Sequence, residues 1–237
     1  MAAEITFDML LLYTGCMSKQ FWAVIAVIVL IFVGIFAFGG KSDKTNNSSS
    51  NTLTQHIEGN GSKGVTLVEY GDYQCPFCGE YYPTVKQVVA EFSDKIHFQF
   101  RNFPITTAHP NAFAGARAAE AAALQGKFWE MHDKLYDEND LVLEAQQRNQ
   151  TYNTWLNASD PTPYFNAYAQ ELGLNLTQFK ADFASSKVND LVNADENEGT
   201  RLGVQGTPTF FIDGKEVQIA NTLADFEKVI NAEIAKH

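Results

Sequence analysis

Between residues 65 and 103 the apolar positions switch period twice. Residues 65–70 (Val-Thr-Leu-Val-Glu-Tyr) form a β-branched, largely apolar run, the pattern of a central strand buried on both faces. Over residues 80–92, Tyr81, Val85, Val88, Val89 and Phe92 recur at helical spacing, and Pro83 is expected to bend this helix or mark a break near its start. Residues 96–103 alternate at period two and stop at Pro104. Strand, helix and strand make a βαβ unit, whose right-handed crossover sets the first turn at the carboxyl edge of a sheet. From His109 to about Gly203 the pattern is helical, in short amphipathic segments over 111–125, 127–138, 164–172, 176–185 and 187–202, with a less regular stretch at 140–163. Trp129 and Trp155 read as core. An apolar strand, an Asp213-Gly214 turn and a second strand follow in 205–219. Residues 222–236 close the chain as a helix with Leu223, Phe226, Val229 and Ile230 on one face and Thr222 as its cap. The fold class is α/β with a helical insertion at about 105–203.

The first 64 residues follow another logic. Residues 21–38 are uncharged and apolar, near the lower length for a bilayer-spanning helix, and predict a single membrane anchor. A cleaved signal peptide, with Ala37-Phe38-Gly39 as its small-x-small site, is the alternative. Residues 1–20 carry Glu4 and Asp8 where a leader wants positive charge, and Met17 beside Lys19 makes a cleaner start; Tyr13-Thr14-Gly15-Cys16 is a poor lipoprotein box. Lys19 before the segment and Lys41 and Lys44 after it leave the orientation to be argued from chemistry. Residues 39–64, rich in Ser, Asn, Gly and Thr, predict a flexible linker, with the folded domain at 65–237.

The chemistry is concentrated in Cys75-Pro76-Phe77-Cys78. Two thiols at i and i+3 lie one helical turn apart and can close a small disulfide ring. If the helix begins at Cys75, unpaired N–H groups and the helix dipole favour its thiolate, making Cys75 the attacking sulfur and Cys78 the resolving one. Pro76 suits the first helical turn. Zinc would need four ligands, but the other cysteine is Cys16, beyond the apolar run, and His56, His97, His109, His132 and His237 have no ligand-like spacing. No metal or organic cofactor is implied. A net charge of −11 and a pI near 4.8 argue against nucleic acid and anionic membrane surfaces as partners.

Cys75-Pro76-Phe77-Cys78 after a strand, a helical insert, and Gly206-Thr207-Pro208-Thr209-Phe210-Phe211 before a hairpin together resemble the DsbA-like thiol:disulfide oxidoreductases of the thioredoxin superfamily. Asp72-Tyr73-Gln74 before the cysteines, Arg101-Asn102-Phe103-Pro104 and His109-Pro110-Asn111 resemble its membrane-tethered, BdbD-like branch. The resemblance covers residues 65–237. It implies a thioredoxin fold with a large all-helical insertion, and a cis bond before Pro208 facing the cysteine pair. It sets Thr207 beside Cys75, where it influences the thiolate, and Pro76, Phe77, Thr207 and Pro208 where substrate binds. Glu69, six residues before Cys75, matches the family's buried acid and is expected to carry the proton of Cys78; Asp72, otherwise a solvated turn residue, competes for that role. Phe77 replaces the histidine of the best-known member, so a weaker oxidant is expected.

The function expected is donation of a disulfide to reduced proteins outside the cytoplasmic membrane by a single-pass, monomeric protein. The resemblance implies reoxidation by a quinone-linked membrane partner of the DsbB or vitamin K epoxide reductase type. A reductase or isomerase on the same fold, or a peptide-binding chaperone module with incidental cysteines, are the alternatives.

Overall fold

The computed structural model describes residues 52–147 and 153–237. Five strands, β1 (His56–Glu58), β2 (Val65–Gly71), β3 (Ile96–Asn102), β4 (Thr209–Ile212) and β5 (Lys215–Val217), form one sheet in the order β1-β3-β2-β4-β5. β2 and β3 are parallel, with Glu69 beside Phe100 and Gly71 beside Asn102, and the other pairs are antiparallel. The expected βαβ unit is therefore present, crossing over through α1 (Pro76–Phe92). That helix runs on through Pro83 rather than breaking there. Proline forfeits one N–H bond, and the apolar residues of the helix, Val85, Val88 and Phe92, stay buried around it.

The insertion comprises α2 (Ala112–Ala123), α3 (Phe128–Gln147), a 3-10 turn (Trp155–Asn157), α4 (Thr162–Glu171), α5 (Leu176–Phe183) and α6 (Ser186–Leu202). Its boundaries follow capping chemistry. Asn175 and Ser185 accept hydrogen bonds from the third residues of α5 and α6, and Gly203 takes a left-handed φ of 91° to end α6. The closing helix α7 (Leu223–Ile234) is capped by the Thr222 side chain, as its sequence predicts.

Side chains alternate across β2. Val65 and Leu67 join Val85, Val88, Phe92, Phe226 and Ile230 in a core between the sheet and helices α1 and α7. Tyr70 faces the other way, packing with Phe103, Val204 and Phe211. A further core fills the insertion, from Leu135, Trp155, Phe165 and Phe179 to Tyr73 and both cysteines. Glu69 follows Val65 and Leu67 on the α1 face, a carboxyl group in an otherwise apolar row.

The linker expectation is corrected at its C-terminal end. Thr54 is buried, and β1 pairs with β3 inside the stretch assigned to a flexible tether. Polar bonding rather than apolar burial holds it. Thr54 donates to Asp195 through its N–H (3.0 Å) and its hydroxyl (2.6 Å), and Arg101 donates to the Thr54 carbonyl and, at 3.2 Å, to Asp195. Asn102 donates to Asp195 and to Glu120 at 2.7 Å. His56 bonds Glu120 at 2.8 Å and stacks on Phe128 with ring centroids 3.4 Å apart. Among the described residues no helix is long and apolar enough to cross a membrane. The anchor expected at 21–38, the start at Met17 and Cys16 lie outside the described residues.

Asp195 thus joins the N-terminal stretch, β3 and the insertion. Replacing Asp195 by Ala leaves the buried Arg101 guanidinium unpaired and should cost about 3–5 kcal/mol, seen as a lower urea midpoint, whereas Glu216→Ala on the exposed edge of β5 should change it little.

Candidate active site

The turn between β2 and α1 places the cysteines. Cys75 is the N-cap of α1, in extended conformation (φ −74°, ψ 121°), and Pro76 occupies the first helical turn. No side chain caps the helix, so its first N–H groups are left for the Cys75 sulfur. Both thiols are free in this structure. Cys78, one turn inside, is fully buried, while Pro76 and Phe77 are exposed, Phe77 to 63%.

Two environments follow. Cys75 is held down to about 6, chiefly because the Cys78 thiol donates to its sulfur, with Thr207 and the N–H groups of Phe77 and Cys78 adding to the effect against the opposing cost of burial. Cys78 is pushed well up, first by burial and then by giving its proton to Cys75. The Asp72 N–H lies 3.5 Å from the Cys78 sulfur. In its protonated state Cys75 donates to the Thr207 carbonyl at 3.3 Å. The peptide bond between Thr207 and Pro208 is cis. The Thr207 hydroxyl is buried beside the Cys75 sulfur, where its hydrogen bond helps to lower that thiol. A cleft of about 270 Å³ runs past this point between Phe77, Tyr81, Pro208 and Ile219.

Glu69 is 4% exposed and accepts no hydrogen bond from the described residues. Burial, and secondarily the Cys75 thiolate, raise it to about 8. The expected competitor is differently placed. Asp72 is not solvated: it is 1% exposed, and its carboxylate accepts from the N–H of Gln74 (2.7 Å) and of Ile105 (2.9 Å) and bonds His109 Nδ1 (2.7 Å). Fully engaged, Asp72 ties the cysteine turn to the start of the insertion. His109 was legible only as a helix-start residue, because its partner is 37 positions away. Gly71 permits the turn to lie against the insertion, since a Cβ there would come within 2.4 Å of the Phe100 ring and 2.9 Å of the Tyr136 hydroxyl.

All seven residues expected from the sequence, Glu69, Cys75, Pro76, Phe77, Cys78, Thr207 and Pro208, thus belong to the β2–α1 and β4 edge of the sheet. Sequence reasoning missed the cavity beneath Glu69, lined from α1, α3 and β1, because it joins residues distant in the chain. Among the described residues Asp213, Glu233 and His237 also bring ligand-type atoms together, but at the surface and already ion-paired, His237 with Asp213 and Glu233 with Lys236.

The thioredoxin family profile, described simply as thioredoxin, matches residues 51–232. Among curated proteins, the Na(+)/H(+) antiporter NhaA 1 of Mycolicibacterium gilvum is 38% identical over 163 residues, 68% of this chain and 23% of that protein. NhaA 3 of Salinispora tropica is 34% identical over 160 residues, 68% of this chain and 22% of that protein. The chain therefore spans about a quarter of the length of these relatives. Among solved structures, oxidised BdbD from Bacillus subtilis superposes with a TM-score of 0.61 at 20% identity, covering 76% of this chain and 93% of BdbD. A thioredoxin-like oxidoreductase from Silicibacter pomeroyi gives 0.59 at 23% identity, covering 75% and 91%. The thiol-disulfide exchange protein α-DsbA2 of Wolbachia pipientis gives 0.58 at 19%, covering 79% and 89%. With its family profile filled and its helical domain inserted after β3, the chain belongs to the thioredoxin family and has the DsbA-like form of its fold.

Proposed function

We propose that the chain is a protein thiol:disulfide oxidoreductase that donates the Cys75–Cys78 disulfide to reduced proteins outside the cytoplasmic membrane. The observation that carries this reading is the unequal pair of sulfurs: a thiolate-favouring Cys75 at the helix N-cap and a sealed Cys78 one turn inside. A substrate thiolate attacks Cys75 Sγ, the Cys75–Cys78 bond breaks, and Cys78 leaves as a thiolate that takes a proton from Glu69. A second substrate thiolate then attacks the substrate sulfur of the mixed disulfide, releasing Cys75, so the substrate loses two electrons and the enzyme gains them. Stabilising the released Cys75 thiolate favours the reduced enzyme, which is what an oxidant requires.

The remaining roles follow from placement. Phe77, Pro76 and the cleft beside Thr207 and Pro208 receive an extended substrate segment, and Thr207 tunes the Cys75 thiolate. Glu69, unlike Asp72, has a free carboxyl to move a proton. The reduced enzyme is reoxidised by a quinone-linked membrane partner of the DsbB or vitamin K epoxide reductase type, with no metal or organic cofactor of its own. A single N-terminal anchor at 21–38 keeps the monomeric domain at the membrane; curated relatives named as Na(+)/H(+) antiporters carry a matching stretch, which supports a membrane setting. A reductase is the second reading, and the Cys75 value near 6 bears on it, since it falls between those of a strong oxidase and of thioredoxin.

The equilibrium potential against glutathione decides between them: about −120 to −180 mV is expected, and about −270 mV would establish the reductase instead. Alkylation of the reduced protein should rise with pH around a midpoint near 6, entirely at Cys75. The pH dependence of stability has opposed parts. Glu69, raised on folding, favours the folded state below about 4.5 and loses this as pH climbs through about 8. Cys75, lowered on folding, contributes stability that is complete above about 8.5, the value of an unfolded thiol, and lost as pH falls through about 6. The reduced protein should therefore lose stability from pH 4.5 to 6 and hold level from 6 to 8. In Glu69→Gln the first fall disappears and stability rises from pH 6 to 8, by on the order of 3 kcal/mol, as measured by urea denaturation under reductant.

A further inference from the structure

Beneath Glu69, between α1 and α3, lies a cavity of about 390 Å³ that the redox reading leaves unused. The size suits a small organic ligand. Its walls are aromatic, from Tyr82 on α1, Phe98 on β3, and Trp129 and Tyr136 on α3. Two of its carboxylates, Glu58 and Glu69, have no hydrogen bond or ion pair among the described residues. Glu69 is the buried one; Glu58, on β1, is partly exposed.

The charges around the cavity are unbalanced. Lys86 is the cation that lines it, and it is committed, 2.9 Å from Asp133 and 3.1 Å from the Tyr82 hydroxyl. Its ammonium stands 5.2 Å from the Tyr82 ring centroid, so an ammonium between aromatic face and carboxylate already exists at this site. His132 is buried, which lowers its pKa and keeps it neutral at pH 7, and its Nδ1 lies 3.2 Å from Asp133. Glu58 is crowded by Asp133 and Glu130, and burial and these like charges raise it.

We propose that this cavity binds a small aromatic cation, its ring against Tyr82, Phe98 and Trp129 and its ammonium or amidinium on the Glu58 carboxylate. An anion meets the Glu58 and Asp133 carboxylates against one engaged lysine. A purely apolar ligand strips water from Glu58 and gives nothing in return. An aliphatic amine leaves the aromatic walls unfilled.

The test titrates the full chain, oxidised and labelled at its tryptophan indoles with ¹⁵N, with 2-phenylethylamine, with its neutral counterpart 2-phenylethanol, and with butylamine. The Trp129 resonance, assigned through Trp129→Phe, should shift saturably with the amine and need at least about tenfold more of either control. Glu58→Gln should weaken the amine about tenfold and leave the alcohol unchanged. Ala90→Trp, on the exposed wall, keeps Glu58 and should abolish binding of both by filling the space. A linear, unsaturated shift, equal affinity for the three probes, or an undiminished amine affinity in both variants overturns the site. The titration requires no turnover, so binding by a protein that proves inactive on thiol substrates would refute the oxidoreductase reading and leave the site standing.

Discussion

One proton shared unequally between two sulfurs governs the site. The Cys78 thiol donates to Cys75, and both the helix N-terminus and the Thr207 segment favour the charge that results on Cys75. The arrangement works because the environments differ: Cys75 sits where backbone N–H groups converge, and Cys78 is sealed beneath it. Burial alone would raise both thiols, so the asymmetry comes from directed hydrogen bonds exceeding desolvation at one sulfur and failing to do so at the other. Glu69 extends the same logic one layer down. It lies in the row of Val65 and Leu67, where an apolar residue would pack better, and the protein keeps a carboxyl group that must be largely protonated at neutral pH.

Holding that geometry requires the turn to be fixed from outside, because four residues cannot fix themselves. Asp72 does so from the insertion side through Ile105 and His109, and Gly71 lets the turn lie against Phe100 and Tyr136. A second polar hub, Asp195, holds Thr54, Arg101 and Asn102 together and so ties the chain's entry point to the strand next to the cysteine-bearing one. Such buried networks stabilise only when complete. Here Asp195 accepts from several donors at once, which compensates for desolvating its carboxylate and the Arg101 guanidinium.

Much of the fold was legible because it is local. The hairpin at Asp213-Gly214, the helix ends at Gly173 and Gly203 and the Thr222 cap are each fixed by residues within a few positions of one another, and the strand, helix and strand of the βαβ unit show in the local period of their apolar positions. The Cys-x-x-Cys spacing and the placement of Pro76 announced a helix N-terminus for the same reason. The linker was misjudged at its end because composition reports the burial of apolar surface, and Thr54 and His56 are held by ionic and hydrogen-bonding partners 45 or more positions away.

The sequence by itself determined the order of elements, the pairing of the two cysteines one helical turn apart and which of them heads a helix, since these depend on period, spacing and backbone preference over short range. Only the tertiary structure decided that Asp72 is engaged and Glu69 is not, and that acidic and aromatic residues from α1, α3 and the first and third strands enclose a cavity. Desolvation and charge pairing act through space. Their strength at any residue is set by neighbours that the chain brings together only on folding.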